Sequence, residues 1–452
     1  MLVAFFIGVL LWFMPSPPGL SVAGQHAMAV VIPTIILWIT QAVPTAVSSI
    51  FMFGAVLTLM SSDIAPSTFL SFWESDTMWF ILVCFVFGLV VSKSGLGKRL
   101  ALYVFSLRRL IVVDLAFFGL NVLFSILGMA TAFPKIVILF PLLISMATLS
   151  GLSKADPYVR HIALMINALA NQTGILVYTG FVYNPVVASL GGFSANYITW
   201  IDWFFVPTLV VNFVSFAVIY LFFSPSSSRK GFDPEVVRKE RGKLGHLTST
   251  EIKAIAWLGV AIALWSTADI TGIPAGFSAV LVTGLLLMPG LGLIEFKEFI
   301  DYSDWNVIFF AMGILAIGNL SSTGFGNWLW SHILPNKLTG NPMLDLTAIS
   351  FLVEILHVPL GSIGTTVAFA VPSISAYGHA VGMSNILLAF VTYLSITGQA
   401  FFVYQNATLA VGQAYGLWNT RDLLKFGIAM FFVLPITIGV LLSPWWALMG
   451  WL

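Results

Sequence analysis

Gly128-Met-Ala-Thr-Ala-Phe-Pro-Lys-Ile-Val-Ile-Leu-Phe-Pro141 is one of two similar segments that decide the fold of this chain. The other is Pro359-Leu-Gly-Ser-Ile-Gly-Thr-Thr-Val-Ala-Phe-Ala-Val-Pro372. Each places a break of small and hydroxyl residues inside strongly apolar sequence, then returns to helix-forming residues before a final proline. Interrupted hydrophobic segments at corresponding places in two halves are typical of membrane proteins with repeated units, whose binding site lies at the broken helices.

The composition of the whole chain agrees with a membrane environment. Of 452 residues, 59% are hydrophobic and 8% are charged, against about 25% charged in an average soluble domain. Apolar runs recur from end to end, and several approach the roughly 20 residues needed to cross a bilayer. Backbone groups in lipid must be paired within the segment itself. We therefore predict an all-α polytopic membrane protein with roughly ten to twelve spanning helices and two re-entrant hairpins.

A polar linker at 224–250 divides the chain into two comparable halves. It carries basic residues that include Arg229, Lys230 and Arg241, and the positive-inside bias predicts that it is cytoplasmic. We expect a first half at 1–223 and a second half at 251–452.

The two halves repeat the same order of motifs, namely a tryptophan-led helix, a glycine-rich turn, a hairpin and a broken helix. An odd number of crossings per half would invert one copy in the membrane, so we predict inverted repeats. In order, the paired landmarks are Trp79 and Trp305, hairpins near 128–141 and 359–372, and broken helices near 179–185 and 404–410.

The four breaks are predicted to converge on one binding site. Half-helix N-termini present free N–H groups and partial positive charge, which suit an anion. Half-helix C-termini and unwound carbonyls suit a cation such as Na⁺. The predicted substrate-binding residues are Thr131, Ala132, Lys135, Asn184, Ser362, Gly364, Thr365, Asn406 and Thr408. The positions at which a coupling Na⁺ would bind are Ala130, Gly180, Gly361 and Gln405.

Three ionisable residues near the breaks are candidates for coupling. Lys135 lies inside an apolar run, where an ionisable group is costly and marks a functional site. It is either a fixed cation beside an anionic substrate, a tethered charge that replaces a coupling Na⁺, or a side chain that snorkels to an interface. Glu354 and His357 lie three residues apart and so share a helix face. His357 is either a proton-coupling residue or a packing residue.

Two motifs give the chain a resemblance to a known family. Gly95-Leu-Gly-Lys-Arg-Leu follows the Trp79 helix and Gly324-Phe-Gly-Asn-Trp follows the Trp305 helix. With the paired hairpins and broken helices, the chain resembles the divalent anion–sodium symporter (DASS) family over nearly its whole length. The resemblance implies a homodimer in which each protomer has a scaffold part and a transport part. The transport part holds the hairpins and broken helices and moves as an elevator.

The hairpin tips depart from the family pattern. Members usually carry Ser-Asn-Thr at both tips, where this chain has Ala130-Thr131-Ala132 and Ser362-Ile363-Gly364, without either asparagine. Exchanger branches of the family have an arginine just after the first tip, and Lys135 falls close to that position. The resemblance therefore favours exchange or a modified coupling mechanism.

These observations predict a secondary transporter of a small divalent organic anion in the inner (cytoplasmic) membrane. No nucleic-acid partner is expected at a net charge of +1. No enzyme motif is present, and no cofactor is expected beyond a coupling ion such as Na⁺. Na⁺- or H⁺-coupled symport of sulfate or another anion is the first alternative. An anion channel or a sensor on a transporter scaffold is an alternative of another class.

Overall fold

The computed structural model describes residues 1–225, 231–333, 339–398 and 400–452. All regular structure in these ranges is helical. Six of the described helices are long and apolar enough to cross a membrane, or seven if the bent pair Phe296–Tyr302 and Trp305–Asn319 forms one span. Six further apolar helices have 10–17 residues. The prediction of an all-α polytopic membrane protein is confirmed.

The helices lie before, within and after the linker at 224–250. The first half comprises α1 (Leu2–Phe13), α2 (Val22–Thr40), α3 (Thr45–Leu59), α4 (Pro66–Leu70), α5 (Asp76–Val83), α6 (Phe85–Ser94), α7 (Leu96–Phe105), α8 (Leu110–Ile126), α9 (Ala132–Leu149), α10 (Pro157–Gln172), α11 (Tyr183–Leu190) and α12 (Tyr197–Phe223). The linker contains α13 (Pro234–Gly242). The second half comprises α14 (Ser249–Ser266), α15 (Ala268–Thr271), α16 (Ala275–Leu287), α17 (Phe296–Tyr302), α18 (Trp305–Asn319), α19 (Phe325–Ile333), α20 (Pro342–Leu360), α21 (Ile363–Val381), α22 (Asn385–Thr397), α23 (Ala407–Ala414), α24 (Thr420–Ile436) and α25 (Ser443–Leu448).

Two helix pairs pack across the boundary between the halves. Helix α3 of the first half contacts α18 of the second, and α16 of the second half contacts α5 of the first. A Cβ on Gly313 of α18 would lie 2.7 Å from the Ser49 hydroxyl of α3. A Cβ on Gly276 of α16 would lie 1.9 Å from the Asp76 carbonyl oxygen at the start of α5. Small residues allow helices in a membrane to approach this closely. Helices α3 and α16 therefore each pack on the tryptophan-led helix of the other half.

Each predicted hairpin is a pair of helices joined by a tight turn. Gly128 lies in the turn between α8 and α9 with a φ of 76°, and Gly361 lies between α20 and α21 with a φ of 77°. Glycine adopts this backbone conformation without steric cost, whereas other residues do not. Pro141 and Pro372 lie inside α9 and α21, so each second arm continues through its proline.

The two helix breaks begin earlier than the sequence motifs suggest. α10 ends at Gln172 and α11 begins at Tyr183. α22 ends at Thr397 and α23 begins at Ala407. The motifs near 179–185 and 404–410 mark only the C-terminal part of each break. Element boundaries are the part of a sequence prediction with the largest error, because apolar residues fit both a helix and an unwound segment.

The linker is held against α7 by one arginine. Arg99 donates to both carboxylate oxygens of Glu251, over 2.6 and 2.9 Å, and to the carbonyls of Gly245 and His246. A guanidinium held by both carboxylate oxygens is geometrically well defined. Residues 226–230 of the linker, with Arg229 and Lys230, lie outside the described residues.

Candidate functional site

The first hairpin tip and the first helix break are joined through the backbone. Val182 N–H donates to the carbonyl of Ala130 over 2.7 Å. Next to it, the buried Thr131 hydroxyl has no hydrogen-bond partner among the described residues, and Ala132 is buried. A Cβ on Gly180 would lie 2.7 Å from another carbonyl of the same break. The first tip and the first break therefore form one packed unit.

Lys135 lies completely buried beside this unit. Its ammonium donates to Ser125 Oγ over 2.7 Å, to the Ala170 carbonyl over 3.0 Å and to Thr173 Oγ1 over 3.5 Å. A lysine has three N–H donors, so all of them meet oxygen atoms. Ala170 lies in the last turn of α10, where the helix dipole favours a cation. The side chain does not reach an interface, so snorkelling does not describe it.

Asn184 is the residue that holds the first break together. Its amide nitrogen donates to the carbonyls of Gly174 at 2.9 Å, Val177 at 2.8 Å and Tyr178 at 3.3 Å. Its amide oxygen accepts from the Tyr393 hydroxyl of α22 at 2.8 Å. In this conformation the nitrogen and the oxygen of the Asn184 amide are both hydrogen-bonded to the protein. The bond to Tyr393 connects the first break to the second half.

The second hairpin tip is stabilised by its own hydroxyl groups. Ser362 Oγ accepts from the Thr365 N–H at 3.0 Å and lies 2.7 Å from Thr365 Oγ1, which is an N-cap of α21. Gly364 lies close to both halves, because a Cβ there would lie 2.6 Å from the Tyr183 hydroxyl of α11 and 2.1 Å from the Phe310 ring of α18. The second tip therefore packs against the start of α11.

The second break is closed by two side-chain caps. Gln405 Oε1 accepts from the N–H groups of Phe401 at 2.6 Å and Phe402 at 2.9 Å. Asn406 Oδ1 accepts from both the N–H and the hydroxyl of Thr408, each at 3.1 Å. The predicted residues Asn406 and Thr408 thus form the N-terminus of α23.

His357 connects the second tip to the interior. Its Nδ1 lies 2.7 Å from Thr366 Oγ1, and the same hydroxyl donates to the Ser362 carbonyl at 3.0 Å. Which of the two atoms donates depends on the tautomer of the imidazole, and Nε2 has no partner among the described residues. Glu354 is also buried, one turn earlier on α20.

A small polar cavity lies between the second break and α10. Its volume is about 30 Å³, and its lining includes Asn167, Asn171, Gln172, His357 and Gln405. Asn167 Oδ1, Gln172 Oε1, His357 Nε2 and Gln405 Nε2 are buried without a hydrogen-bond partner in the part of the chain that the structure describes.

Sequence reasoning identified His357 and Gln405 but missed the three α10 residues of this cavity. Asn171 and Gln172 lie four and five residues after Asn167, which places the three on one side of α10. Polar residues recurring at helical spacing in an apolar helix are the signal that could have found them.

The predicted site residues fall into two neighbouring groups. The first break brings together Thr131, Ala132, Lys135, Ala130 and Gly180. The second brings together Ser362, Gly364, Thr365, Asn406, Thr408, His357, Gly361 and Gln405. Asn184 bridges the two groups through Tyr393.

The whole chain, residues 1–452, matches the family described as the sodium:sulfate symporter transmembrane region. The chain is 26% identical over 349 residues to dicarboxylate transporter 1, chloroplastic, of Spinacia oleracea, a match that covers 74% of this chain and 60% of the spinach protein. It is 24% identical over 485 residues to the citrate/succinate antiporter of Escherichia coli K12, covering 98% and 96% of the two chains. It is 23% identical over 464 residues to dicarboxylate transporter 2.2, chloroplastic, of Arabidopsis thaliana, covering 98% of this chain and 83% of that protein.

Proposed function

The chain belongs to the sodium:sulfate symporter transmembrane-region family, the DASS family that its motifs resemble, and on this premise we propose that it is a secondary transporter of a small divalent organic anion. Relatives named as dicarboxylate transporters and as a citrate/succinate antiporter support a dicarboxylate substrate. The observation that carries the proposal is the packing of two hairpin tips against two helix breaks, with one buried ammonium at the first.

Lys135 favours exchange over Na⁺ symport. Its ammonium fills an oxygen-lined site at the carbonyl end of α10, where a mobile cation would otherwise be stabilised. A tethered charge cannot be released on the far side of the membrane. The return of an unloaded site would then move an uncompensated charge, so return with a second anion is favoured.

Coupling to Na⁺ or H⁺ is the second candidate, supported by the cavity at the second break. Its volume of about 30 Å³ suits one water-sized occupant, and Gly361 and Gln405 are the predicted neighbours of an ion. His357 and Glu354 are the candidate proton carriers. Under this candidate the transported anion would be sulfate or a carboxylate.

The architecture supports inverted repeats and an elevator movement. Helices α3 and α16 occupy corresponding places in the two halves, and each contacts the tryptophan-led helix of the other half, α18 and α5 respectively. This is expected for two copies related by an axis in the membrane plane. The first tip is bonded to the first break, and the second tip packs against the start of α11, which supports a transport part that moves as one unit. We place the chain in the inner membrane as a homodimer, with halves 1–223 and 251–452 and with 224–250 in the cytoplasm.

Counterflow in proteoliposomes tests this function. Vesicles holding the purified full chain are loaded with unlabelled succinate, citrate or sulfate, and uptake of the labelled anion is followed with and without a Na⁺ gradient. We expect saturable uptake that internal succinate stimulates and that needs no Na⁺. Uptake that requires Na⁺ and ignores internal anion would show symport, and flux that neither saturates nor responds to internal anion would show a channel.

A further inference from the structure

A larger cavity, of about 540 Å³, lies between the second hairpin and helices outside the hairpins and breaks. Helices α11, α21 and α22 line one side of it, and α2, α18 and α19 line the other. Sites that bind a small molecule have volumes of about 300–1,000 Å³. The cavity therefore has room for a ligand or for part of one.

The lining of this cavity has an apolar body and a polar rim. Val31 and Ile35 of α2 and Ala368 of α21 contribute apolar side chains from within their helices. Asn319 is the last residue of α18 and Asn385 is the first of α22, so amide groups lie where these helices end. A molecule with a hydrocarbon part and a polar end matches this arrangement.

Charged side chains are absent from the described lining of this cavity, so a dianion inside it would have no counter-charge. Water in the apolar body would lack the roughly two to four polar partners that it needs. An empty cavity would deprive the apolar walls of dispersion contacts on one side. Hydrocarbon from the bilayer restores these contacts and needs no polar partner.

Ser375 of α21 provides one hydrogen-bonding group inside the cavity. It lines the cavity and is 3% exposed, and its hydroxyl has no partner among the described residues. Ser373, two residues earlier, differs because its hydroxyl donates to the Phe369 carbonyl over 2.9 Å. A buried hydroxyl without a partner indicates a missing acceptor. The ester carbonyl of a phospholipid is an acceptor attached directly to a hydrocarbon chain.

The rim of the cavity lies on the side of the membrane opposite to the linker. Gly191 and Gly192 line the rim a few residues before the start of α12. Helix α12 is long and apolar enough to cross the membrane, and its other end leads into the linker at 224–250. A lipid that enters the cavity at its rim therefore comes from the leaflet opposite to the linker.

We propose that this cavity holds an acyl chain of a membrane phospholipid, with the hydrocarbon against Val31, Ile35 and Ala368 and the ester carbonyl at Ser375. The inference goes beyond the proposed transport and does not depend on which anion is carried. The chain lies between the second hairpin and α18, so it separates surfaces that slide past each other when the hairpin moves.

Photo-crosslinking of the full-length chain in proteoliposomes tests this site. The vesicles contain a phosphatidylethanolamine with a diazirine on one acyl chain, and the adducts are located by mass spectrometry after irradiation. We expect adducts at Leu315 and Ala368, which are buried and line the cavity, as well as at the exposed Phe6 and Phe13 of α1. Adducts on α1 without any at Leu315 or Ala368 in the unmodified chain overturn the inference.

Ala368→Trp fills the cavity and should lose the adducts at Leu315 while it keeps those on α1. Ala429→Trp is the matched control, because it introduces the same side chain on α24, away from the cavity. It should keep the adducts at both places. Adducts at Leu315 that persist in Ala368→Trp would show that the lipid does not occupy the cavity.

A second measurement shows whether water fills the cavity instead. The chain has a single cysteine, the buried Cys84, so Ser375→Cys in a Cys84→Ala background carries one thiol at the cavity. We expect this thiol to resist a charged, water-soluble thiol reagent in intact proteoliposomes and to react after denaturation. Rapid reaction in intact proteoliposomes overturns the inference and assigns the cavity to an aqueous path.

Discussion

The two helix breaks share one architecture but have different interiors. At the first, the Lys135 side chain donates to three oxygens. At the second, His357 and Gln405 border a cavity of about 30 Å³. The two breaks thus differ in what fills them, a lysine side chain at the first and a small cavity at the second.

The largest effect is expected from removing the charge of the first break. Lys135→Met keeps the length of the side chain but leaves Ser125 and the α10 carbonyl end without their cation. Without this cation the anion loses its positive neighbour, so we expect counterflow to slow by roughly 100-fold, which corresponds to about 3 kcal/mol in the barrier. The measurement is the initial rate of labelled-anion uptake.

Lys93→Met is the control for this variant, because Lys93 is partly exposed and pairs with Glu298 over 2.5 Å outside both breaks. Unchanged transport and ion dependence in Lys135→Met would remove the lysine from the site.

The side chains that hold the two breaks should differ in their contribution to stability. Asn184 has four partners in and around the first break, whereas Gln405 Oε1 has two in the second. Asn184→Leu should lower the free energy of unfolding by about 3 kcal/mol and Gln405→Leu by about 2 kcal/mol. The unfolding temperatures measured in detergent show which of the two variants is the less stable. The reverse order would contradict the view that the first break is the more tightly closed.

The fold could be predicted because the breaks leave glycine and proline in otherwise apolar helices. The role of Asn184 could not, since an asparagine in a break has the same local sequence whether it faces a ligand or braces three carbonyls. The helical spacing of Asn167 and Gln172 could have identified them as a polar stripe, but it does not indicate which residue they face. They belong to the regular helix α10, and their neighbour Gln405 is contributed by the other half, a contact that no local pattern encodes.

A smaller difference in stability is expected between substitutions at Gly128 and Gly361, the glycines beside the two hairpin tips. Gly128→Ala and Gly361→Ala both place a side chain at positive φ, which costs roughly 1–2 kcal/mol. A Cβ on Gly128 would lie 3.0 Å from Trp265 and 3.2 Å from Phe87, whereas one on Gly361 would lie 3.4 Å from Tyr404. We expect the larger drop in unfolding temperature for Gly128→Ala. Equal drops would show that the first tip has room to relax.

The smallest effect is expected for the contact between the two groups. Tyr393→Phe removes the hydroxyl that donates to Asn184 Oδ1 and should lower stability by about 1 kcal/mol. A double-mutant cycle with Asn184→Leu checks this value. Full additivity of the two changes would show that the bridge does not couple the halves.

The hydrogen bond from Val182 N–H to the Ala130 carbonyl involves no side chain. Sequence drift can therefore alter the residues around it while the attachment of tip to break persists. This main-chain joint does not depend on which side chains the first tip carries, which are Ala130-Thr131-Ala132 in this chain. The attachment of the first tip depends on the backbone at this point. A change that removes the Val182 amide proton, such as Val182→Pro, breaks the hydrogen bond.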